Sequence, residues 1–288
     1  MIIVYLLGAL FAIIVGAHFD IIRFLFVYAI LLTGTLSALY NNNYNDVETD
    51  RYASQTFFSG GSRILVDHPE FMKSFKRLSL FFLCFSILLG LVAMILFSYP
   101  WTFFLFILFG NLLGWFYTAP PLQLIYHGFG EFGTMCAAGF IIPGLGYFAL
   151  KGQIDTMFLP LLLPLLLYGF SMSFYLEIPD READRRGHKN TMVVRWGIPF
   201  GLTSSVLSTF AATLCFVIYG FSKISSGTIN YWIVSLFSLL PFIVSFYTWI
   251  RSRIDINRIN HLIFYSAASF FAFYLLLIGY LFILVLQM

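Results

Sequence analysis

Long apolar runs separated by short polar breaks make up most of the sequence. A helix that crosses the roughly 30 Å hydrocarbon core of a bilayer needs about 20 mostly apolar residues. Runs of this kind follow one another along the chain, and they predict an all-α polytopic membrane protein of about nine transmembrane helices. The predicted spans lie near residues 2–17, 21–42, 78–98, 100–117, 130–150, 155–177, 199–220, 229–250 and 261–286. The polar segments left between them are 43–77, 178–198 and 251–260.

Composition supports a lipid environment and predicts a single membrane domain over residues 1–288. Apolar residues make up 60% of the chain and charged residues only 10%, whereas roughly a quarter of the residues in soluble proteins are charged. The net charge is only +3, and the Phe-rich runs have no basic residues between them. The balance therefore does not indicate a nucleic-acid partner.

The positions of the basic residues predict the orientation, because cytoplasmic segments of membrane proteins carry the excess of Lys and Arg. All but three of the 16 basic residues lie in the three polar segments. The exceptions are Arg23, Lys151 and Lys223. The amino terminus and both long polar segments are therefore predicted to be cytoplasmic. Residues 1–17 are predicted to form a first span and not a signal peptide, because no Lys or Arg precedes the apolar run.

Acidic residues occur at helical spacing at the edges of the two long polar segments. The first motif consists of the amide of Asn42 and the carboxylates of Asp46 and Asp50, and the second of the carboxylates of Asp180 and Asp184. Because a helix turns about 100° per residue, side chains four residues apart lie along one stripe. Pro179 suits the opening of a helical turn that carries the second motif. Acidic residues close to the hydrocarbon are costly, so their presence there indicates a functional site.

Carboxylates at this spacing suit Mg²⁺, which is usually held by one or two carboxylates together with phosphate oxygens. Four predicted spans separate the motifs, and an even number places both on one face. Two facing motifs would clamp a diphosphate through metal, which neutralises the charge on the departing group. The alternative is a solvated mixed-charge loop in which the acids pair with their Arg neighbours. Two motifs on one predicted face favour the metal site.

The order NxxxDxxxD after the second span and DxxxD after the sixth resembles the UbiA superfamily of intramembrane prenyltransferases. Residues 117–122 (YTAPPL) resemble the turn after the family's fourth helix. Residues 58–63 (FSGGSR) resemble a segment of the menaquinone-type branch, the dihydroxynaphthoate prenyltransferases. The resemblance covers essentially the whole chain, with clear motifs from 30 to 200 and the span pattern beyond.

The resemblance implies a helical bundle around a central cavity, capped by the two acidic segments, in a bacterial or archaeal cytoplasmic membrane. It also implies Mg²⁺ as cofactor, a prenyl diphosphate as donor and an aromatic acceptor of the kind used in quinone biosynthesis. The residues carried over as metal-binding and catalytic are Asp46, Asp50, Asp180 and Asp184. Those carried over as substrate-binding are Asn42, Arg51, Arg63, Tyr117 and Lys189.

Three positions depart from the family pattern. Gln123 and His127 stand where this branch often has basic residues, which removes two expected cations. Leu176 stands where an Asn often precedes the second motif, with Glu177 beside it, so that this metal site is expected to have a different set of ligands.

Three functions remain open. The first is an aromatic prenyltransferase, in which Mg²⁺-assisted loss of diphosphate gives an allylic cation that the acceptor captures. The second keeps the ionisation without an aromatic acceptor, as in the family's terpene cyclases and lipid or carotenoid prenyltransferases. The third is an ion-coupled transporter, and it is disfavoured because transporter sites usually lie near the membrane midplane and not at helix ends.

Overall fold

The computed structural model of the protein describes residues 1–53, 61–222, 228–254 and 259–288, and every regular element in these ranges is helical. Part of the FSGGSR segment (58–60) lies outside the described residues, as do Lys223 and part of segment 251–260. The α-helices are α1 (Ile2–Ile14), α2 (Ile21–Asn45), α3 (Val47–Asp50), α4 (Ile64–Asp67), α5 (Met72–Leu96), α6 (Trp101–Trp115), α7 (Gly130–Cys136), α8 (Ile142–Lys151), α9 (Leu159–Arg186), α10 (Met192–Trp196), α11 (Ile198–Phe221), α12 (Tyr231–Ser252) and α13 (Ile259–Leu286). A π-helical segment, Ala137–Ile141, joins α7 to α8.

Helices occupy all nine predicted spans, but only seven of those in the described ranges are long and apolar enough to cross a membrane. The other two, α1 and α6, have 13 and 15 residues. Their ends have local causes, since α1 stops just before Gly16, which has a φ of +92°, and α6 lies between Pro100 and the prolines of the YTAPP turn. The membrane bundle is thus confirmed, whereas the count of nine crossing helices is not.

Glycines bring the backbones of α1 and α8 into direct contact. A Cβ atom at Gly8 would collide with the carbonyl of Pro143, and one at Gly146 would collide with the carbonyl of Tyr5. Small residues at helix interfaces are typical of membrane proteins, because close packing replaces the hydrophobic effect as the source of association in lipid. These two positions therefore fix how α1 sits on α8.

Buried polar groups tie α2 to its neighbours α5 and α6. The Asn111 amide on α6 donates to the Ser86 hydroxyl on α5 at 3.1 Å, and Ser86 donates to the Ile30 carbonyl on α2 at 3.1 Å. Near the other end of α2, the Asn41 amide donates to the Trp115 carbonyl at 2.8 Å. These bonds hold the end of α2 that carries the first acidic motif against the end of α6.

Candidate active site

The first acidic motif lies where α2 passes into α3. Asp46 breaks the helix, with φ −96° and ψ 7°. The i to i+4 hydrogen bonds continue across the break, because the Asp46 N–H donates to the Asn42 carbonyl at 2.9 Å and the Asp50 N–H to the Asp46 carbonyl at 2.8 Å. The three residues of the motif therefore stay close to the spacing that the sequence predicts.

The second motif lies inside a long helix and not in a loop. Helix α9 runs through Pro179 to Arg186, so Pro179 is an interior residue and does not open a new turn. Two predictions need correction here: the span near 155–177 extends further as helix, and the first part of segment 178–198 is helical. The sequence pattern was ambiguous because a proline suits a helix start yet is tolerated inside membrane helices.

Lys189 joins the two motifs. Its ammonium lies 3.0 Å from a carboxylate oxygen of Asp46 and 3.7 Å from one of Asp184. The side chain is buried. Burial alone would lower the pKa of Lys189, but the carboxylates of Asp46 and Asp184 outweigh it, and the pKa is raised. The predicted convergence of the two motifs is therefore present, with a protonated lysine between them.

Two glycines allow this close approach. A Cβ atom at Gly187, just after α9, would lie 2.8 Å from the Cα of Thr49 on α3, too close for any side chain. A Cβ atom at Gly61 would collide with the carboxylate of Asp50. Gly61 also has a φ of +63°, which residues with a side chain rarely adopt. The absence of a side chain at Gly187 lets the end of α9 pack against α3, and its absence at Gly61 leaves room for the Asp50 carboxylate within the first acidic segment.

Asp50 and Arg63 form the outer part of the site. Burial raises the pKa of Asp50 to about 6, and the nearby carboxylates of Asp46 and Asp180 add to the shift. The Arg63 guanidinium donates to the carbonyls of Asp50 at 3.3 Å and Ala53 at 3.1 Å. Arg63 thus fixes the backbone after the first motif and brings positive charge close to Asp50.

Tyr126 and Thr118 belong to the site, although the sequence did not single them out. The Tyr126 hydroxyl donates to a carboxylate oxygen of Asp46 at 2.8 Å, and its ring lies 5.9 Å from the Lys189 ammonium. The Thr118 hydroxyl donates to the Asn42 side-chain oxygen at 2.9 Å. Both residues come from the segment between α6 and α7, and only the path of that turn reveals their contacts.

Three other residues that the sequence analysis singled out, Tyr117, Arg51 and His127, make different contacts. The Tyr117 hydroxyl lies 3.4 Å from the Thr134 hydroxyl, and its ring lines a cavity below Asn42. Arg51 has an exposed side chain. His127 donates from Nδ1 to the Leu122 carbonyl at 2.9 Å, within its own turn. This contact gives His127 a local structural role and does not direct it to the acidic motifs.

A buried glutamate supports the segment that carries Lys189. Glu131, at the start of α7, is fully buried, and its carboxylate accepts the N–H of Met192 at the start of α10. Glu177, the residue beside Leu176, is also buried. Neither carboxylate was predicted as a site residue, although Glu177 lies on the same helix as the second motif.

The acidic side chains fit Mg²⁺ as a cofactor. In the described part of the chain, no three His, Cys, Asp or Glu side chains already form a metal-binding cluster. Mg²⁺ is usually held by one or two carboxylates together with substrate phosphates, so carboxylates from two neighbouring motifs are of the right chemical type. The ammonium of Lys189 already places one positive charge between the carboxylates of Asp46 and Asp184. The raised pKa of Asp50 comes mainly from burial, and the nearby carboxylates of Asp46 and Asp180 add to it, so a cation placed among these groups would offset part of their repulsion. If Mg²⁺ binds here, Asp46, Asp50, Asp180 and Asp184 are the residues that would supply the oxygen ligands.

Comparison with known proteins gives a consistent result. The sequence profile of the UbiA prenyltransferase family matches residues 1–267. A relative from Bacillus subtilis (strain 168), 1,4-dihydroxy-2-naphthoate octaprenyltransferase, is 24% identical over 200 residues, which cover 69% of this chain and 62% of the relative. This chain thus spans less than two thirds of the length of that relative.

Solved structures share the fold. An apo UbiA homolog from Aeropyrum pernix K1 superimposes with a TM-score of 0.70 at 14% identity, covering 98% of this chain and 96% of the other. A UbiA homolog from Archaeoglobus fulgidus, bound to GPP and Mg²⁺, gives a TM-score of 0.68 at 14% identity, covering 98% and 95%. At these identities the likeness concerns the fold alone.

Proposed function

The chain belongs to the UbiA prenyltransferase family, and from this premise we propose that it transfers a prenyl group from a prenyl diphosphate to an aromatic acceptor with Mg²⁺ as cofactor. The proposal rests mainly on one observation: the carboxylates of Asp46 and Asp184 both contact the ammonium of Lys189, at 3.0 and 3.7 Å. Two acidic motifs more than a hundred residues apart in sequence are thereby placed to act on one ligand. A diphosphate with its metal ions fits such a pair.

We assign the four aspartates of the motifs to metal binding. When bound, Mg²⁺ neutralises the charge that develops on the departing diphosphate. Tyr126 holds the Asp46 carboxylate through its hydroxyl. Lys189 is the cation nearest to both motifs and is placed to donate to a phosphate oxygen. Arg63 supplies further positive charge, and Arg51 and Asn42 are assigned to the same diphosphate.

The reaction breaks the C–O bond between the prenyl C1 and the diphosphate and forms a bond from C1 to an aromatic carbon of the acceptor, which then loses the proton that this carbon carried; the diphosphate leaves as the anion. An allylic cation formed in this way must be kept from water. Most of the surface that lines the cavity below Asn42 and Tyr117 is apolar, with Thr35, Asn111 and Thr134 as the other polar residues. A dry site of this kind also strengthens the electrostatic contacts to the leaving group.

The proposal also specifies the class of acceptor and the side of the membrane on which the acidic motifs lie. A naphthoate-type acceptor is supported by the name of the Bacillus subtilis relative and by the FSGGSR segment. The cytoplasmic position of the acidic motifs is supported by the concentration of Lys and Arg in the polar segments. The alternative without an aromatic acceptor uses the same ionisation chemistry and the same residues.

Purified protein, Mg²⁺ and a panel of prenyl diphosphates, with and without phenolic and naphthoate acceptors, separate these functions. Diphosphate release and product mass are measured in parallel. We expect diphosphate release to require Mg²⁺ and to increase when an aromatic acceptor is present. Acceptor-independent hydrocarbon products would favour the cyclase alternative. If no donor releases diphosphate in the presence of metal, both proposals are wrong.

Metal binding is expected to depend on pH. Asp50 has a pKa of about 6 in the metal-free protein and must lose its proton to bind Mg²⁺. As the pH falls below 6, the apparent affinity for Mg²⁺ should therefore drop by about tenfold per pH unit, and it should level off above pH 7. Calorimetric titrations of Mg²⁺ into the protein between pH 5 and 8 measure this change in affinity.

The matched control for that titration is Glu48→Gln, because Glu48 lies in α3 beside Asp50 but has an exposed side chain. This variant should keep the wild-type pH profile. The Asp50→Asn variant should bind Mg²⁺ weakly and without the drop near pH 6. An affinity that stays constant from pH 5 to 7 in the wild-type protein would contradict the assignment of Asp50.

A further inference from the structure

Two buried carboxyl groups meet next to the candidate active site. Glu131, at the start of α7, is fully buried, and Glu177 on α9 is 6% exposed. The two carboxyl groups lie within hydrogen-bonding reach of each other. Glu177 precedes Asp184 by close to two helical turns, so both lie along one side of α9. The pair therefore lies about 10 Å along α9 from the end of the second acidic motif.

Most of the oxygen atoms of this pair accept no hydrogen bond. Glu131 Oε1 accepts the N–H of Met192. Among the described residues, no group donates to Glu131 Oε2 or to either carboxyl oxygen of Glu177, and these three atoms are shielded from solvent. No ion pair in this part of the chain includes either glutamate. Two ionised carboxylates would thus face each other without a donor or a cation, which is costly in a buried site.

One proton held between the two groups removes this cost. Neighbouring carboxyl groups resist double ionisation, and a single proton turns their repulsion into a hydrogen bond. The N–H of Met192 favours the ionised form of Glu131, whereas Glu177 has no such donor. Asp184 and Lys189, which carry opposite charges, also act on Glu177. Glu177 is therefore the member that carries the proton, and its O–H donates to Glu131 Oε2.

Through Glu131, the pair reaches the segment that carries Lys189. Met192 is the first residue of α10, so its N–H has no partner within that helix. The bond from this N–H to Glu131 is buried, whereas two further side-chain bonds to the same segment are partly buried or exposed. Lys189 lies only three residues before Met192. A shift of Glu131 would therefore move the backbone from which the Lys189 side chain extends.

We propose that Glu131 and Glu177 share one proton, and that this pair positions the Lys189 ammonium between the two acidic motifs. The pair joins α7, α9 and the start of α10 at one buried point. Glu177 is thus a positioning residue, which acts through Glu131 and Met192. The inference rests on the proposed function for the role of Lys189 toward the diphosphate, whereas the shared proton does not depend on any ligand.

Two substitutions of Glu177 separate its hydrogen bond from its volume. The amide of Glu177→Gln donates to Glu131 as the neutral acid does, whereas Glu177→Leu keeps a similar size and donates nothing. Geranyl thiolodiphosphate, a non-reactive donor analogue, is titrated with Mg²⁺ by calorimetry. We expect Glu177→Gln to bind it within about threefold of the wild type. Glu177→Leu should bind it at least about tenfold more weakly, because small displacements of a ligand-binding group have effects of this size.

Two measurements on the ligand-free protein test the pair without the donor. The infrared difference between wild type and Glu177→Gln at about pH 8 should contain the C=O band of a neutral carboxylic acid, although an ordinary glutamate is ionised there. Hydrogen exchange of the Met192 amide should be at least about tenfold faster in Glu177→Leu than in the wild type, and unchanged in Glu177→Gln.

The matched controls are Glu182→Gln and Glu182→Leu, because Glu182 lies on the same helix with an exposed carboxylate. Both should keep wild-type binding of the analogue and wild-type exchange at Met192. Thermal unfolding verifies that each variant is folded. If Glu177→Leu does not fold, the infrared comparison of wild type with Glu177→Gln still decides whether the proton is shared.

The outcomes separate this inference from the proposed function. Absence of the neutral-acid band in the wild type would overturn the shared proton. Equal binding of the analogue by Glu177→Gln and Glu177→Leu would overturn the positioning role and leave the proposed function intact. A wild-type protein that shows the band but binds no analogue would reject the proposed function and leave the carboxyl pair intact.

Discussion

Replacing Asp46 by Asn is expected to lower the turnover of every prenyl diphosphate by about a thousandfold or more. Asp46 is the carboxylate on which the site converges, since it accepts from Tyr126 at 2.8 Å and lies 3.0 Å from the Lys189 ammonium. Asn keeps the size of the side chain and removes the charge that pairs with Lys189 and that we propose binds a metal ion. Steady-state diphosphate release at saturating Mg²⁺ measures the loss.

Folding of the Asp46→Asn variant should be retained, because Lys189 still faces the carboxylate of Asp184. Size-exclusion chromatography and thermal unfolding verify this. Glu48→Gln is the matched control: it removes an exposed carboxylate two residues away and should keep full activity. Turnover of Asp46→Asn within threefold of the wild type would show that the first motif does not bind the metal.

Replacing Gly146 by Val is expected to lower the free energy of unfolding by more than about 3 kcal/mol, beyond the usual range for overpacking. The added side chain would collide with the carbonyl of Tyr5 in α1. A backbone carbonyl inside a helix cannot turn away as a flexible side chain can, so α1 and α8 must separate. Thermal unfolding in detergent, together with the yield of monodisperse protein, measures the effect.

Gly279→Val is the control for this prediction. Gly279 lies in α13, and a Cβ atom there meets nothing within 4 Å. The two variants carry the same change in helix propensity, so a difference in their unfolding temperatures reports the contact between α1 and α8. Equal unfolding temperatures would contradict the account of this interface.

The helical bundle and the meeting of the motifs were predictable from the sequence for different reasons. The bundle follows from the apolar runs, because the bilayer sets a minimum helix length. The meeting of Asp46 and Asp184 follows from the distribution of Lys and Arg and an even number of predicted spans between the motifs. The shortness of α1 and α6 could not be predicted, because the ends of these helices depend on the backbone at Gly16 and on the turn after Trp115.

Other parts of the site depend on contacts between segments distant in sequence. Tyr126 lies 80 residues from its partner Asp46, and no spacing pattern connects them. In the sequence, Gly187 looks like an ordinary glycine at the end of a helix. Only the position of Thr49 in the structure shows that a side chain cannot be accommodated there. Arg63 was predicted as a phosphate contact, and in the unliganded protein it binds backbone carbonyls after the first motif.

The lysine between the motifs has a thermodynamic consequence. Because the Lys189 ammonium already occupies the space between Asp46 and Asp184, a metal ion arriving alone competes with a resident positive charge. A diphosphate arriving with the metal gives that ammonium a new anionic partner and so removes the competition. Each ligand then raises the affinity for the other by the same factor. Either ligand alone should therefore bind more weakly than it does when the other is present.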